Sequence, residues 1–500
     1  MANSIWPKSN KARVDRSLSA HSVMGLVISA LLFIICVSGT AAVFEDEIGW
    51  WENPVSSPIE SVSSDTAQAA ARSVIAEQPE TTHLYLYLPK DGWPRFVAGG
   101  DDGLKTASAS GELTGEYETP WNDFLIHLHY YLTLPTSFGM IVVAIFGVML
   151  VAMAISGFMA HPRVFRDAFR FRNKGQPRLA QADLHNRLSV WTAPFHIAIA
   201  LTGAMIGLFS IVALVLAQTS YDGDTAKLSE ALFGSEPATD ESPADLADVG
   251  AAMTTLSSVA PEAEPFLVVL HDPGTAGQHI TIYGEHTDRL IYGETYNFDA
   301  AGDYTGRGHE SDGELGEQVF MSTYRLHFGD FGGLAVKAAY ALLGLALCIM
   351  IASGLNIYLL KRAEAGRAMP RTEAAWSALV WGTPAWLGLT LLSGLLGANA
   401  LVMTGLFWIG LSASAIACAF AFDARIAGRL HRLVCAASLL AACFLHAIQY
   451  GAAYTNPYIT FVTLGLAACA VGLTAQALLP GLQRSRKPDA KIGQPHSDPA

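Results

Sequence analysis

Charge is scarce in this 500-residue chain: Asp, Glu, Lys and Arg together make 15% of it, against 51% hydrophobic residues. Soluble domains carry roughly a quarter of their residues as charges, so the deficit excludes an ordinary soluble enzyme and indicates a membrane protein. Cysteine is scarce and badly placed for disulfides. Cys36, Cys348, Cys418, Cys435, Cys443 and Cys469 all fall in apolar runs, none in a polar segment where an oxidising compartment would pair them, so they read as packing residues. There is no CxxC and no Cys/His cluster for zinc or iron–sulfur, and no GxGxxG follows a strand to hold flavin or nicotinamide. Carboxylates are nearly missing from the apolar runs, which argues against a transporter with midplane ion sites. Basic residues are rare in the two long polar segments: 4 Lys/Arg against 14 Asp/Glu over 45–120, and 3 against 20 over 218–323. The net charge of −13 therefore resides there and gives no reason to expect nucleic acid as a partner.

What the chain does have is apolar runs of about 20 residues, the length that crosses a bilayer as a helix. Eight appear, near 22–44, 136–160, 188–217, 334–360, 375–396, 399–421, 432–451 and 457–480. The first is too long, and lacks the small-residue cleavage site, for a removable signal peptide. Orientation follows from the Lys/Arg bias of short loops. Lys8, Lys11, Arg13 and Arg16 precede the first run, seven basic residues lie between Arg163 and Arg187, Lys361, Arg362 and Arg367 follow the fourth run, and Arg484, Arg486 and Lys487 lie in the tail. These faces, with both termini, are expected in the cytoplasm and the acidic segments outside.

The first two-thirds of the chain repeats itself. His21 is followed 18 residues later by Gly39 in SGT, and His185 is followed 18 residues later by Gly203 in TGA. Each unit then passes through an acidic segment and re-enters through a His-bearing approach, HYYLTLPTSFG from His129 and HFGDFGG from His327. The returning runs carry Ser156–Gly157 and Ser353–Gly354, 28 and 27 residues after those histidines to the glycine. Two parallel copies of helix, outer domain, helix are related most simply by an axis along the membrane normal. In the first outer segment 66–78 reads as a helix, HLYLYLP alternates as a strand and ASGELTG as a strand and turn. In the second, a helix near 247–259 precedes strands at PFLVVLH and HITIYGE and then NFDAAGDYTG.

The repeat puts His21 and His185 at the cytoplasmic ends of spans one and three, and His129 and His327 at the outer ends of spans two and four. Ionisable side chains near hydrocarbon are functional candidates, four-helix arrangements build cofactor sites from facing helices, and imidazole is an axial ligand of haem iron. Two bis-histidine haems b, the inner on His21/His185 and the outer on His129/His327, would occupy all four. The bland alternative, interfacial imidazoles that snorkel to water, suits a single histidine better than matched pairs. Arg187 and Arg325 lie two residues from His185 and His327, placed to meet haem propionates; Arg187 also serves the positive-inside bias. His196, about 16 Å deeper than His185 on a straight helix, is either an alternative ligand or haem-edge residue or a hydrogen-bonded core histidine, with Pro194 freeing a nearby carbonyl. His161 is a further inner-face candidate, and His127 would point away from His129. His431 and His446 read as packing or interfacial residues, with a redox group or quinol pocket the alternative. His271, His279, His286 and His309 read as solvent-exposed.

The stretches HSVMGLVISALLFIICVSGTAAVFEDEI, SGFMAHPRVFRDAFRFRNKGQ, DLHNRLSVWTAPFHIAIALTGA and YRLHFGDFGG together resemble the PepSY-associated transmembrane family, iron-regulated bacterial inner-membrane proteins that include haem-containing siderophore reductases. The resemblance spans about 17–362. It implies a mainly α, polytopic fold of about eight transmembrane helices whose first four form two helix–PepSY-like domain–helix repeats, with two small α+β periplasmic modules. The expected divisions are an N-terminus at 1–20, a first repeat at 21–160 with its module at 45–120, a basic loop at 161–187, a second repeat at 188–362 with its module at 218–323, four additional helices over 363–480 and a tail at 481–500. A cytoplasmic linker at 361–375 joins the halves. The implied activity is transmembrane electron transfer through two haems b to a ferric siderophore or other ferric chelate at the periplasmic face. The electron donor would be a cytoplasmic reductase or a membrane quinol. At Thr133 the chain departs from related members, in which a second histidine often follows the first. The rival expectation is a haem-free membrane protein whose PepSY-like modules bind and regulate a peptidase or uptake complex.

Overall fold

The computed structural model describes residues 10–54, 58–90, 92–161, 163–169, 177–225, 227–228, 240–286 and 288–479. The expected tail, residues 1–9 and the middle of the basic loop, 170–176, lie outside the described residues. In chain order the elements are α1 (Lys11–Ala42), α2 (Glu45–Glu52), α3 (Ser64–Glu77), β1 (His83–Tyr87), β2 (Val97–Gly100), β3 (Gly103–Ala107), β4 (Leu113–Glu116), α4 (Pro120–Tyr131), α5 (Thr136–Ala160), α6 (Val164–Asp167), α7 (Pro177–Trp191), α8 (Ala193–Gly207), α9 (Phe209–Ser220), α10 (Val249–Val259), β5 (Glu264–His271), β6 (His279–Glu285), β7 (Glu294–Phe298), β8 (Tyr304–Arg307), α11 (Leu315–Phe328), α12 (Gly333–Glu364), α13 (Pro370–Leu395), α14 (Ala400–Ala421), α15 (Ala424–Gln449) and α16 (Pro457–Leu478).

Seven of these, α1, α5, α12, α13, α14, α15 and α16, are long and apolar enough to cross a membrane, and the chain is a multi-pass membrane protein. The expected third span at 188–217 is not one straight helix. It is divided among α7, α8 and α9, and α7 meets α8 at 67°. The cause is local: Pro194 has no amide hydrogen to continue the ladder, and Thr192 Oγ1 donates back to the Leu188 carbonyl at 2.6 Å, a bond that bends helices. The linker expected at 361–375 is likewise mostly helix. Only five residues, Ala365 to Met369, separate α12 from α13.

The two outer modules are not separate. Each supplies one helix and four strands, and the strands join in a single antiparallel sheet of order β4-β3-β2-β1-β5-β6-β7-β8. The seam is β1 against β5, in register from His83 opposite His271 to Tyr87 opposite Leu267. A lone module would leave β1 as an unpaired edge, which exposes a row of backbone donors and acceptors; pairing with its repeat partner removes that edge. α3 and α10 lie together on one face, where Ala67, Ala71, Val74, Leu84, Leu86, Val268, Leu270, Ile280 and Ile282 form one continuous buried core. Burial also corrects the histidine reading in this domain. His286 is 2% exposed and bonds Tyr296 Oη at 2.9 Å, while His271 and His279, opposite each other on β5 and β6, stack with centroids 4.4 Å apart and are half-buried. His309 is exposed as expected.

The domain is anchored to the spans by buried ions. Lys337, near the start of α12, is 8% exposed and bonds Glu47 of α2 at 2.9 Å and Asp46 at 3.5 Å. Removing one partner of such a pair strands the other charge. Lys337→Met is therefore expected to cost about 3 kcal/mol or more, read as a lowered midpoint of thermal unfolding in detergent, with Lys337→Met/Glu47→Leu recovering much of the loss. An unchanged midpoint for the single variant would dismiss the anchor.

Candidate functional site

α1, α5, α7, α8 and α12 pack around one another, with α4 and α11 folded against them at the end nearest the sheet. The expected position of His129 and His327 on spans two and four is refined here. Both sit on short separate helices that precede those spans, α4 and α11, ending in left-handed residues at Leu132 (φ 51°) and Gly329 (φ 74°). α4 is fixed by Glu52 of α2, whose carboxylate accepts from the Trp121 and Asn122 amides at 2.6 and 2.9 Å. Its two oxygens satisfy donors that a helix N-terminus leaves open. Burial nonetheless pushes the Glu52 carboxyl up to about 7.

The four repeat-matched histidines come together in two pairs. At the sheet end the rings of His129 and His327 have centroids 6.3 Å apart and planes 19° apart. At the basic end His21 and His185 stand 6.2 Å apart with planes at 83°. In each ring Nδ1 is engaged by a neighbouring helix. His21 Nδ1 meets the Met153 carbonyl at 3.0 Å and Ser156 Oγ at 3.3 Å; His185 Nδ1 meets the Met350 carbonyl at 2.9 Å and Ser353 Oγ at 3.2 Å. His129 Nδ1 meets the Ile35 carbonyl at 2.9 Å, and His327 Nδ1 meets Thr202 Oγ1 at 3.0 Å. A carbonyl acceptor requires Nδ1–H, which leaves the Nε2 lone pair of the neutral ring free to bind a metal. Burial keeps the sheet-end rings neutral, lowering His129 to about 4 and His327 to about 3.

The repeat glycines explain how the rings fit. A Cβ on Gly39 would overlap the His129 ring, and one on Gly203 would lie 2.6 Å from His327 Cε1. At the basic end Gly157 and Gly354 abut His21 and His185, where a Cβ would come within 3.2 and 3.3 Å of Cε1. Each imidazole thus lies on a glycine of a neighbouring helix, with its hydrogen-bond acceptor four residues earlier on that helix wherever the acceptor is a carbonyl. Those SGT, TGA and Ser–Gly motifs were legible in the sequence as repeat markers; their work as ring seats was not. A cavity of about 310 Å³ opens at the sheet-end pair, walled by Gly39, Gly203, His129, His327, Tyr130 and Phe328. Glu45 also reaches it, its carboxyl raised to about 7 by burial and by Asp46.

In both pairs the centroid separation, 6.2 and 6.3 Å, is one that would let two imidazoles share a metal. With a metal–nitrogen bond of about 2 Å and a ring centroid about 1 Å behind each nitrogen, two opposed imidazoles place their centroids roughly 6 Å apart. The remaining expected site residues lie elsewhere. His196 bonds Thr192 Oγ1 at 2.8 Å, faces the Leu343 carbonyl and packs on Phe195. The bend at Thr192 also cancels the straight-helix depth assumed for it. Arg325 is committed to the sheet domain: it is 3% exposed and holds Glu285 at 2.5 Å, the Ile291 carbonyl at 2.7 Å and the Asp330 carbonyl at 2.8 Å. These bonds employ Nε and both terminal nitrogens, so Arg325 is a strut between β6 and α11 rather than a group held out for a propionate. Arg187 lies over the Trp191 ring at 5.8 Å. His161 caps the end of α5, and His127 packs on Tyr131. His431 bonds the Ala427 carbonyl at 2.8 Å, and His446 is stacked on Trp51 at 4.0 Å; both are packing residues. Among the described residues no group of three or more His, Cys, Asp or Glu is arranged to hold a metal ion by itself. Thr133, the position of departure noted in the sequence, accepts from Trp408 Nε1 at 2.8 Å.

The chain belongs to the family described as the PepSY-associated TM region, whose sequence profile matches residues 18–361. That match covers both repeats and stops at the end of α12. The chain is also 29% identical over 266 residues to an uncharacterised protein of Pseudomonas aeruginosa, a stretch that is 50% of this chain and 66% of the relative. It thus spans just under two thirds of that relative's length.

The glycine seats make a graded test. Gly203→Ala meets a ring that cannot retreat, an overpacking that costs about 1–3 kcal/mol, whereas Gly354→Ala asks its neighbour to yield only a few tenths of an ångström. Thermal unfolding of the two variants should separate them clearly. Equal shifts would mean that the seats do not constrain the rings.

Proposed function

We propose that this member of the PepSY-associated TM region family is a transmembrane electron conduit holding two haems b, the inner on His21 and His185 and the outer on His129 and His327. The observation that carries the reading is the doubled ring pair: two sets of imidazoles with centroids 6.2 and 6.3 Å apart, each ring with Nδ1 held by a neighbouring helix and a glycine against it. Haem bound there would supply a ferric/ferrous couple that carries one electron at a time.

The protein's part is positioning. The Met153, Met350 and Ile35 carbonyls and Thr202 Oγ1 fix tautomer and ring direction, which makes each Nε2 the better ligand. The perpendicular inner pair and the near-parallel outer pair are set by different partners rather than by a single template. Apolar walls exclude water, and Arg187, two residues from His185 and over the Trp191 ring, would be the guanidinium nearest in sequence to meet a propionate. The Lys/Arg bias favours the basic loops and both termini in the cytoplasm, which in a bacterial inner membrane would leave the sheet domain in the periplasm. The outer pair would then reduce a ferric siderophore or other ferric chelate, releasing ferrous iron for uptake, with electrons from a cytoplasmic reductase or membrane quinol. The acidity of the sheet domain disfavours strongly anionic chelates.

The test is the absorption spectrum of purified protein, air-oxidised and then reduced with dithionite, with haem counted per chain. Two haems with sharp reduced b-type bands are expected, one lost in His129→Ala and the other in His185→Ala. Protein that folds colourless would sink the conduit and leave the sheet domain as a partner-binding module.

A further inference from the structure

A second cavity, of about 330 Å³, opens at the basic end where α7, α12, α13 and α15 meet. Its wall includes Gln181, Asn356, Glu373, Trp376, Trp381 and Arg432. It stands beside the His21/His185 pair by helix register. Gln181 lies one turn before His185 on α7, and Asn356 lies one turn beyond Ser353, whose hydroxyl faces His185 on α12. Neighbours at i,i+3 and i,i+4 share a helix face, so ring pair and cavity follow one another along the same two helices, about 5 Å apart in rise.

Two buried donors in the wall, Trp376 Nε1 and Arg432 Nε, have no hydrogen-bond partner among the described residues. Trp376 is 7% exposed and its ring meets Phe33 of α1 at 6.1 Å, so it cannot turn its indole to water. Arg432 lies over the Trp381 ring at 4.5 Å, which holds the guanidinium in place. Buried donors are nearly always paired, and an unpaired one calls for an explanation such as a ligand acceptor. Leu360 and Val380 supply an apolar side to the same cavity. The ligand indicated has oxygen acceptors on a flat ring and an apolar remainder. Glu373 refines this, since a carboxylate in the wall accepts from a hydroxyl; Arg425 and Arg432 stand in the same wall, which is why a phosphate is the competitor to test. The cavity is also small for a dinucleotide, and no glycine-rich phosphate loop adjoins it.

We propose that this cavity binds a membrane quinol, with Trp376 Nε1 and Arg432 Nε donating to one ring oxygen and Glu373 accepting from the other hydroxyl. The inference rests on the conduit reading for its purpose: the quinol is the electron donor. One quinol becomes one quinone, giving up two electrons and two protons. The electrons reduce two ferric chelates to ferrous by one each, and the protons leave through the Glu373 side of the mouth. The four helices beyond the repeats thereby acquire a role, because α13 and α15 furnish both donors and the carboxylate.

The experiment uses full-length protein in lipid nanodiscs and a photoactivatable azidoquinone with a decyl tail. After irradiation and digestion, label should appear in the α13 stretch around Trp376 and Trp381 or the α15 stretch around Arg432. Trp376→Phe and Arg432→Gln should each weaken labelling about tenfold in concentration dependence. Glu373→Gln should reduce competition by decylubiquinol while leaving competition by decylubiquinone unchanged, a split that general misfolding would not produce. Label spread over lipid-facing helices, label indifferent to all three substitutions, or displacement by a soluble dialkyl phosphate as effective as by quinone would each overturn the proposal. Haem absorbance of the same samples keeps the two readings apart. Haem without specific label refutes the quinol site alone, and specific label on colourless protein refutes the conduit alone.

Discussion

The arrangement depends on one contact repeated with variations: an imidazole Nδ1 held by a polar group of a neighbouring helix, with a glycine of that helix beneath the ring. The hydrogen bond selects the tautomer, and the glycine selects the depth at which the ring can lie. Neither works alone. A ring without the acceptor would be a buried polar group with an unmet donor, and a ring without the glycine would be pushed away from its partner across the pair. Because each contact joins two elements, α1 to α5, α1 to α4, α7 to α12 and α8 to α11, the four together also specify how the bundle closes. Packing and site geometry are the same set of contacts seen from two sides.

That identity is why so much of the site was legible in the sequence. A ring and its seat leave a His and a Gly at a fixed spacing, and a repeat writes the same spacing twice, as His21 to Gly39 and His185 to Gly203 show. The spacing did not reveal which glycine serves which histidine. Gly39 seats His129, not His21, and Gly157 seats His21, so the pairing crosses between the two helices of each repeat. Only the packing of α1 against α4 and α5 discloses that exchange. His196 takes the second of its two expected roles, a buried hydrogen-bonded histidine, and Arg325 is engaged by Glu285 and two carbonyls. Neither placement is legible from distance along the chain, because a 67° bend and the packing of β6 against α11 separate distance along the chain from distance in space.

The outer domain was less legible. Strand patterning located HLYLYLP, PFLVVLH and HITIYGE, yet nothing local distinguishes two four-stranded modules from one eight-stranded sheet. The deciding pair, β1 with β5, joins residues 180 to 188 positions apart, and such pairing is fixed by the burial it completes rather than by any short motif. One hint was available. PFLVVLH is nearly continuous in apolar residues, and Val268, Val269 and Leu270 are all buried, as befits a strand inside a sheet rather than at its margin.

The two halves of the sheet-end pair are matched in sequence but braced differently. His327 rides on α11, which Arg325 ties to Glu285 of the sheet domain. His129 rides on α4, which Glu52 of α2 holds at its start and the helices beyond the repeat brace further. Trp121 donates to Thr390 of α13 at 3.0 Å, Trp408 of α14 donates to Thr133 at 2.8 Å, and Trp51 of α2 donates to Thr463 of α16 at 2.9 Å while its carbonyl meets His446 of α15 at 2.6 Å. Two copies of one unit cannot both present the same face to a single added bundle, so near-symmetry at the rings requires asymmetry in what supports them. The added helices therefore serve both ends of the molecule: near the sheet they hold one ring in register with its partner, and at the basic end they close a cavity next to the other pair. The direct link between the two ends is α1, which carries His21 at one end and the Ile35 carbonyl and Gly39 that seat His129 at the other; α13 runs alongside, with Trp376 against Phe33 of α1 and Thr390 bonded to Trp121 of α4.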